Sequence, residues 1–138
     1  MSGHPGDPRR PARGDRDRGG QVLGGSIYQA EADLTHPLLF GFRRTDVAVF
    51  KRSRLRFDIP NNAYASPLTF PANSLLSGYS PKGFEEELAN TAAIVVSSVN
   101  GGRTISFADN PNFRGSWYGT NRLFLNALFL GDKINVPD

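Results

Sequence analysis

Positions along Ser26–Asp33 (SIYQAEAD) alternate with a period of two, which predicts a strand with one moderately apolar face. Asp46–Lys51 (DVAVFK) predicts a second strand, with apolar residues on both faces. In the second strand, Val47 and Val49 share one face. Between the two strands, the segment DLTHPLLFG (Asp33–Gly41) predicts one short helical turn. Its threonine can cap the turn, its proline suits the first helical position, and its terminal glycine can end it.

The middle of the chain has a weaker pattern. Turn-forming residues dominate Arg52–Phe70, so we expect a long loop there with one edge strand over Leu55–Ile59. Ser80, followed by proline, then predicts the start of a short helix, with three glutamates near its positive end. Phe84 and Leu88 mark the buried side of that helix.

The last third of the chain has the strongest pattern. Ala92–Val99 (AAIVVSSV) is a near-continuous β-branched run, typical of a strand covered on both faces. Asn100–Gly102 tolerates the positive φ angles of a hairpin turn, so we expect Thr104–Ala108 to return antiparallel. A helix follows over about Trp117–Leu130, and Gly131 is a candidate left-handed cap.

That last helix is almost wholly apolar, and its polar face is too thin for a helix on a protein surface. It has to pack against a sheet, and this chain supplies little sheet to cover it. We therefore expect a packing domain cut from something larger, and an isolated chain that is marginally stable or self-associating. Helices alternating with strands predict an α/β fold with an antiparallel hairpin at one edge.

The first 24 residues differ from the rest in composition. Met1–Gly20 contains five Arg and three Asp, hence +2 of the formal net charge of +3, and has little apolar surface to offset its ordering entropy. We expect residues 1–24 to be a disordered Arg/Gly/Pro-rich leader and residues 25–138 to be the folded domain. The interleaved aspartates argue against nucleic-acid binding by the leader. No apolar run has the length of a membrane span, and no signal peptide is visible.

Candidate chemistry is sparse. Cysteine is absent, which excludes disulfides, thiolate zinc sites and cysteine nucleophiles. The two histidines, His4 and His36, have no second ligand at helical spacing, which argues against a hydrolytic zinc site. Asp33 and His36 are close in sequence and could share a loop edge with Asp109. Alternatively, the Thr-His-Pro sequence builds a capped turn in which His36 hydrogen-bonds to the backbone.

The loop DNPNFRGSWY (Asp109–Tyr118) follows a strand end, where ligands often bind in α/β sheets. Arg114 could clamp a carboxylate, and the aromatic pair at 117–118 could stack on a ligand. Alternatively, Asn110 and Asn112 satisfy backbone groups before the helix, and Trp117 plugs the core. The candidate ligand-binding residues are Asp33, His36, Asp109, Asn110, Arg114, Trp117 and Tyr118.

Three segments together resemble the C-terminal accessory domain of bacterial zinc carboxypeptidases of the carboxypeptidase A type. They are DLTHPLLFG (Asp33–Gly41), NSLLSGY (Asn73–Tyr79) and GGRTISFADNPNFRGSWYGTNRLFLNALFLG (Gly101–Gly131). The resemblance implies a class I glutamine amidotransferase-like domain, a flavodoxin-like α/β sandwich, here truncated at its N-terminal side. It implies a non-catalytic role in packing or substrate presentation.

In that family the zinc ligands belong to a separate catalytic domain, and no position here matches their His-x-x-Glu pattern. The resemblance therefore implies no cofactor and no enzymatic activity in this chain alone. The implied partners are a carboxypeptidase catalytic domain or the missing part of the same domain, with self-association as a further outcome. The family is typically exported, but this chain gives no indication of its own location. The alternatives are a free-standing module that binds a small ligand or peptide through residues 33–36 and 109–118, and a nucleic-acid-associated protein acting through its leader.

Overall fold

The structure is a computed structural model that describes residues 23–113 and 118–135. Most of the predicted leader lies outside the described residues. The strands are β1 (Ser26–Ala32), β2 (Asp46–Lys51), β3 (Leu68–Phe70), β4 (Leu75–Ser77), β5 (Thr91–Val99) and β6 (Gly102–Phe107). Among the described residues, the helices include α1 (Phe84–Leu88), α2 (Tyr118–Leu130) and the short 3-10 helices Pro37–Leu39, Ala63–Ala65 and Gly131–Lys133.

The described strands form one curled antiparallel sheet in the order β2-β1-β3-β5-β6, with β4 also paired to β1. β3 and β4 pair with the two ends of β1, through Ala32 and Tyr28 respectively. Between them, the Gln29 amide donates to the Ser74 carbonyl oxygen at 2.7 Å. β3 and β4 therefore act as two parts of one interrupted strand beside β1.

The α/β class and the antiparallel hairpin at the sheet edge are confirmed. In the hairpin between β5 and β6, Asn100 and Gly101 have φ angles of 49° and 81°. Two successive positive φ angles are the signature of a type I′ turn, which suits the right-handed twist of paired strands. Each strand pair described is antiparallel. Neighbouring strands run parallel in a flavodoxin-like sheet, so the strand pairing differs from the flavodoxin-like arrangement that the resemblance implies.

The first half of β5 is covered as predicted, but Ser97 and Val99 near its end are exposed. Of the predicted edge strand at 55–59, only a single bridge is present, from Phe57 to Ala92. β3 and β4 were not predicted, because a three-residue strand is too short to show a period of two.

Helix ends differ most from the predictions. Phe84 and Leu88 of α1 are fully buried as expected, but Gly83, with a φ of 79°, precedes the helix in place of a serine cap. Ser80 instead accepts a hydrogen bond from the Tyr28 hydroxyl at 2.9 Å. Gly131 does not adopt a positive φ, and the chain continues there into a 3-10 turn. The predicted left-handed cap is therefore wrong.

The core is formed by the inward-facing strand positions together with residues of both α-helices. The fully buried Tyr28 ring makes edge-on contacts with the rings of Phe70 and Phe84, with centroids 6.5 and 6.0 Å away. From α2, Leu123 enters the same cluster. This core fixes α2 against the sheet by one face only.

Candidate functional site

The predicted loop at residues 33–36 uses its polar atoms to hold its own backbone. Asp33 Oδ1 accepts hydrogen bonds from the Thr35 amide at 3.0 Å and from the Thr35 hydroxyl at 2.6 Å. His36 Nδ1 accepts from the Leu38 amide at 3.2 Å and caps the 3-10 turn. The interpretation of His36 as a residue bonded to backbone is confirmed, and the expectation that Thr35 provides the cap is wrong.

The His36 ring is 1% exposed and lies 4.5 Å from the ring centroid of Tyr64. Burial lowers the pKa of His36, against the opposing effect of the nearby Asp33 charge. Because Nδ1 is an acceptor, the neutral ring carries its proton on Nε2, for which no hydrogen-bond partner is present among the described residues. His36 is therefore a neutral, enclosed cap and not an accessible base.

Asp109 forms a buried ion pair. Its Oδ2 lies 2.7 Å from Lys51 Nζ, and the side chains of Asp109 and Lys51 are 8% and 0% exposed. Lys51 also donates to the Leu55 carbonyl oxygen, while Ser53 Oγ lies 3.4 Å from the second Asp109 oxygen. Burial lowers the pKa of Lys51, and the Asp109 charge opposes that shift. The Asp109 carboxylate is thus occupied in joining β2 to the end of β6.

The remaining loop residues give a mixed result. Asn110 Oδ1 accepts from the Asn112 amide at 2.9 Å, so its structural interpretation is confirmed. Arg114 and Trp117 lie outside the described residues, as does the side chain of Tyr118. Their predicted ligand contacts stay predictions.

The two predicted loops lie toward opposite ends of β1. Asp33 follows the last residue of that strand, whereas Lys51, the partner of Asp109, is in register with Ser26, its first residue. A strand of seven residues spans about 20 Å. Asp33 and Asp109 therefore do not share a loop edge.

A small recess lies between the sheet and α2, lined by residues that include Val49, Phe107, Asn110 and Leu123. Its cavity volume is about 20 Å³. Ligand pockets usually have volumes of about 300–1,000 Å³ and several convergent polar groups. This recess is smaller than such pockets and mainly apolar, so we interpret it as a packing defect between the sheet and α2 and not as a ligand-binding site.

The most prominent surface feature is the side of α2 that faces away from the sheet, which we call the α2 outer face. It consists of Phe124, Leu125, Leu128 and Phe129, whose exposed fractions are 37%, 45%, 62% and 77%. None of the four is charged or polar. A helix with apolar residues on all sides is normally covered on all sides, and within the described residues nothing covers this one.

Polar contacts hold the inner side of α2 in place. Asn126 Nδ2, in a side chain that is almost fully buried, donates to the carbonyl oxygens of Leu38 and Phe40 at 2.7 and 2.9 Å. Thr120 donates to the Pro111 carbonyl oxygen at 2.7 Å, at the start of the helix. These contacts fix the rotation of α2 and keep its outer face outward.

The predictions from the sequence did not include the buried polar residues Lys51 and Asn126, although the pattern contained a signal for each. Lys51 continues the inward series of Val47 and Val49 in β2, and the same period of two predicts that it faces the core. Asn126 lies three residues after Leu123, on the buried stripe of α2. In both cases a polar side chain at an inward position indicated a buried hydrogen-bonding role.

Within residues 23–113 and 118–135, no group of three His, Asp or Glu side chains is placed to hold a metal ion. In the same part of the chain, no helix combines the length and the hydrophobicity that a bilayer crossing requires. Comparisons with protein-family models, with curated proteins and with solved structures give no match to this chain.

Proposed function

We propose that this chain is a non-catalytic packing module that associates with another protein surface through the α2 outer face. The observation that carries the proposal is the exposure of four adjacent large apolar side chains on one helix, with Phe129 the most exposed at 77%. Contiguous apolar patches of several hundred Å² on soluble proteins mark interaction sites.

The contacts of the polar side chains support a non-catalytic role. The described carboxylate of Asp109 is neutralised by a buried lysine, and His36 is held neutral as a cap. A general acid or base has to reach a substrate with a titratable atom, and these two groups are directed into the fold. The same engagement argues against the alternative of a ligand-binding module built on the two loops.

The sequence resemblance to an accessory domain of zinc carboxypeptidases also supports a packing role. It implies a carboxypeptidase-type catalytic domain as one neighbour, with any zinc held by that domain. The isolated chain should then release no C-terminal amino acid from peptides, with or without added zinc. Peptide turnover that a chelator abolishes would contradict this proposal.

A pair of double variants tests whether the α2 outer face is a contact surface or part of the core. At high dilution, where the parent chain is monomeric, Leu128→Gln/Phe129→Gln should keep the melting temperature of the parent chain, because both side chains are more than half exposed. The same variant should bind less of the apolar dye ANS, measured at high dilution. Leu55→Gln/Leu76→Gln is the matched control, since its leucines are 52% and 53% exposed but lie elsewhere.

For this control we expect a smaller change in ANS fluorescence. A large fall in melting temperature for the α2 variant would show that the two side chains stabilise the monomer. Equal ANS fluorescence in the parent chain and the α2 variant would show that the face is not an apolar binding surface. Either result would overturn the proposal.

A further inference from the structure

We infer that the α2 outer face is covered by a second copy of this chain, in a two-fold symmetric dimer whose α2 helices cross antiparallel. This inference rests on the proposed function, because it names the occupant of the same surface. The four side chains form two rows, Phe124 with Leu128 and Leu125 with Phe129, each spaced by four residues. Such i,i+4 rows are the ridges that interdigitate when two helices pack.

The surface can pair with itself because its apolar centre has no charge, while a cation lies at its N-terminal end and a carboxylate, next to Lys133, lies just beyond its C-terminal end. Arg122 lies at the N-terminal end of the face and is exposed, and Asp132 follows its C-terminal end with a side chain that is 68% exposed. A two-fold axis between Leu125 and Leu128 directs Arg122 of one copy toward Asp132 of the other. A parallel pairing would instead bring two Arg122 side chains together.

Both charged groups have capacity for this contact. Arg122 uses one guanidinium nitrogen to donate to the Gly41 carbonyl oxygen at 2.6 Å and has further N–H donors. Asp132 is 2.9 Å from Lys133, in a pair exposed to solvent on both sides. Antiparallel helices also place the positive end of one helix dipole beside the negative end of the other.

The apolar area fits a weak or moderate dimer. From their exposed fractions, the four side chains and the neighbouring Phe40 present roughly 500 Å² of surface, on the scale of 150–250 Å² for each aromatic side chain. A stable interface buries about 800 Å² on each partner, so this patch with a polar rim approaches the required size. We expect a dissociation constant on the order of micromolar.

Sedimentation equilibrium of the full chain, from about 1 to 200 µM, tests the dimer. The parent chain should change from monomer to dimer over this range. Leu125→Glu/Phe129→Glu should stay monomeric at every concentration, while the control Leu55→Glu/Leu76→Glu should dimerise like the parent. Far-UV circular dichroism checks that each variant is folded.

A charge-reversal experiment tests the antiparallel arrangement. Arg122→Glu and Asp132→Arg should each weaken the dimer by about 5-fold or more, since each places like charges together. Combining the two substitutions should restore the parent affinity. Single variants that weaken the dimer without restoration in the double variant would overturn the antiparallel arrangement.

The failures of the two proposals are distinguishable. In one outcome the parent chain stays monomeric, but its ANS binding is still lost in Leu128→Gln/Phe129→Gln. This result overturns the dimer proposal and leaves the α2 outer face as a packing surface that a different domain covers. A monomeric parent chain whose ANS binding does not depend on these residues overturns both proposals. Dimerisation that persists in Leu125→Glu/Phe129→Glu would place the dimer contact on another surface.

Discussion

Replacing Asp109 with asparagine should destabilise the fold severely, because the Lys51 ammonium would lose its counter-charge in a buried position. The two side chains are 8% and 0% exposed, and their charged atoms are 2.7 Å apart. Removing one partner of a buried ion pair typically costs about 3–5 kcal/mol. Asparagine can still accept one hydrogen bond from Lys51, so we expect a loss near the lower limit. Single domains have a total stability of about 5–15 kcal/mol.

The loss can be measured as the difference in the free energy of unfolding between parent and Asp109→Asn in urea titrations at neutral pH. Asp46→Asn is the matched control, because it removes the same charge from the exposed Arg44–Asp46 pair. We expect the control to unfold at the parent midpoint within error. Lys51→Met/Asp109→Leu should recover much of the loss, since it removes both charges and keeps the volume filled.

The dependence on pH gives a further check. Burial already lowers the pKa of Lys51 from the ordinary value of 10.5, and Asp109 opposes that shift. In Asp109→Asn the opposition is gone, so folded Lys51 gives up its proton at a lower pH than in the folded parent chain. The deficit in stability relative to the parent should therefore shrink as pH rises from the folded pKa of Lys51 in the variant to its folded pKa in the parent, both of which lie below 10.5. A loss below about 1 kcal/mol at neutral pH would refute the buried-pair interpretation of Asp109.

Three more predictions concern the turns and the anchoring of α2. The folded pKa of His36 is lowered, so stability should be full above its unfolded value of 6.5 and fall as pH decreases below it, and His36→Asn should flatten this dependence in urea titrations. Asn126→Ala leaves the Leu38 and Phe40 carbonyl oxygens without their donor and should cost about 1–3 kcal/mol in the same assay. Gly101→Val places a β-branched residue at a φ of 81° and should lower the melting temperature, whereas Ser97→Val in the adjacent strand should not.

The sequence predicts those parts of the fold that depend on neighbouring residues better than those that depend on residues far apart in sequence. The type I′ turn at Asn100 and Gly101 was predictable because its φ angles depend on those residues alone. β3 was not, because Leu68–Phe70 is a strand only through its pairing with β1 and β5. The antiparallel pairing of β1 with β2, β3 and β4 was not predicted either, since it depends on residues that are far apart in sequence.

The same difference between local and long-range features applies to the candidate site. The almost wholly apolar character of α2 was readable from the sequence, and it predicted a helix that the chain does not cover fully, as the exposed α2 outer face confirms. The self-association expected from the same pattern stays a prediction. Which of its sides packs inward was not predicted, because that depends on where Asn126 meets the Leu38 and Phe40 carbonyl oxygens. Likewise, Asp109 looked like a ligand-binding residue because Lys51 is 58 residues away in sequence.

Hydroxyl-radical footprinting of the parent chain, read by mass spectrometry, measures the solvent accessibility of side chains directly. Between nanomolar and high micromolar concentrations, the oxidation rates of Leu128 and Phe129 should fall several-fold, because a protein surface covers them. The rates of Leu55 and Leu76, which have similar or lower exposure, should not change. Unchanged oxidation of Leu128 and Phe129 in the self-associated chain, or protection of the two control leucines instead, would contradict the assignment of the α2 outer face as the contact surface.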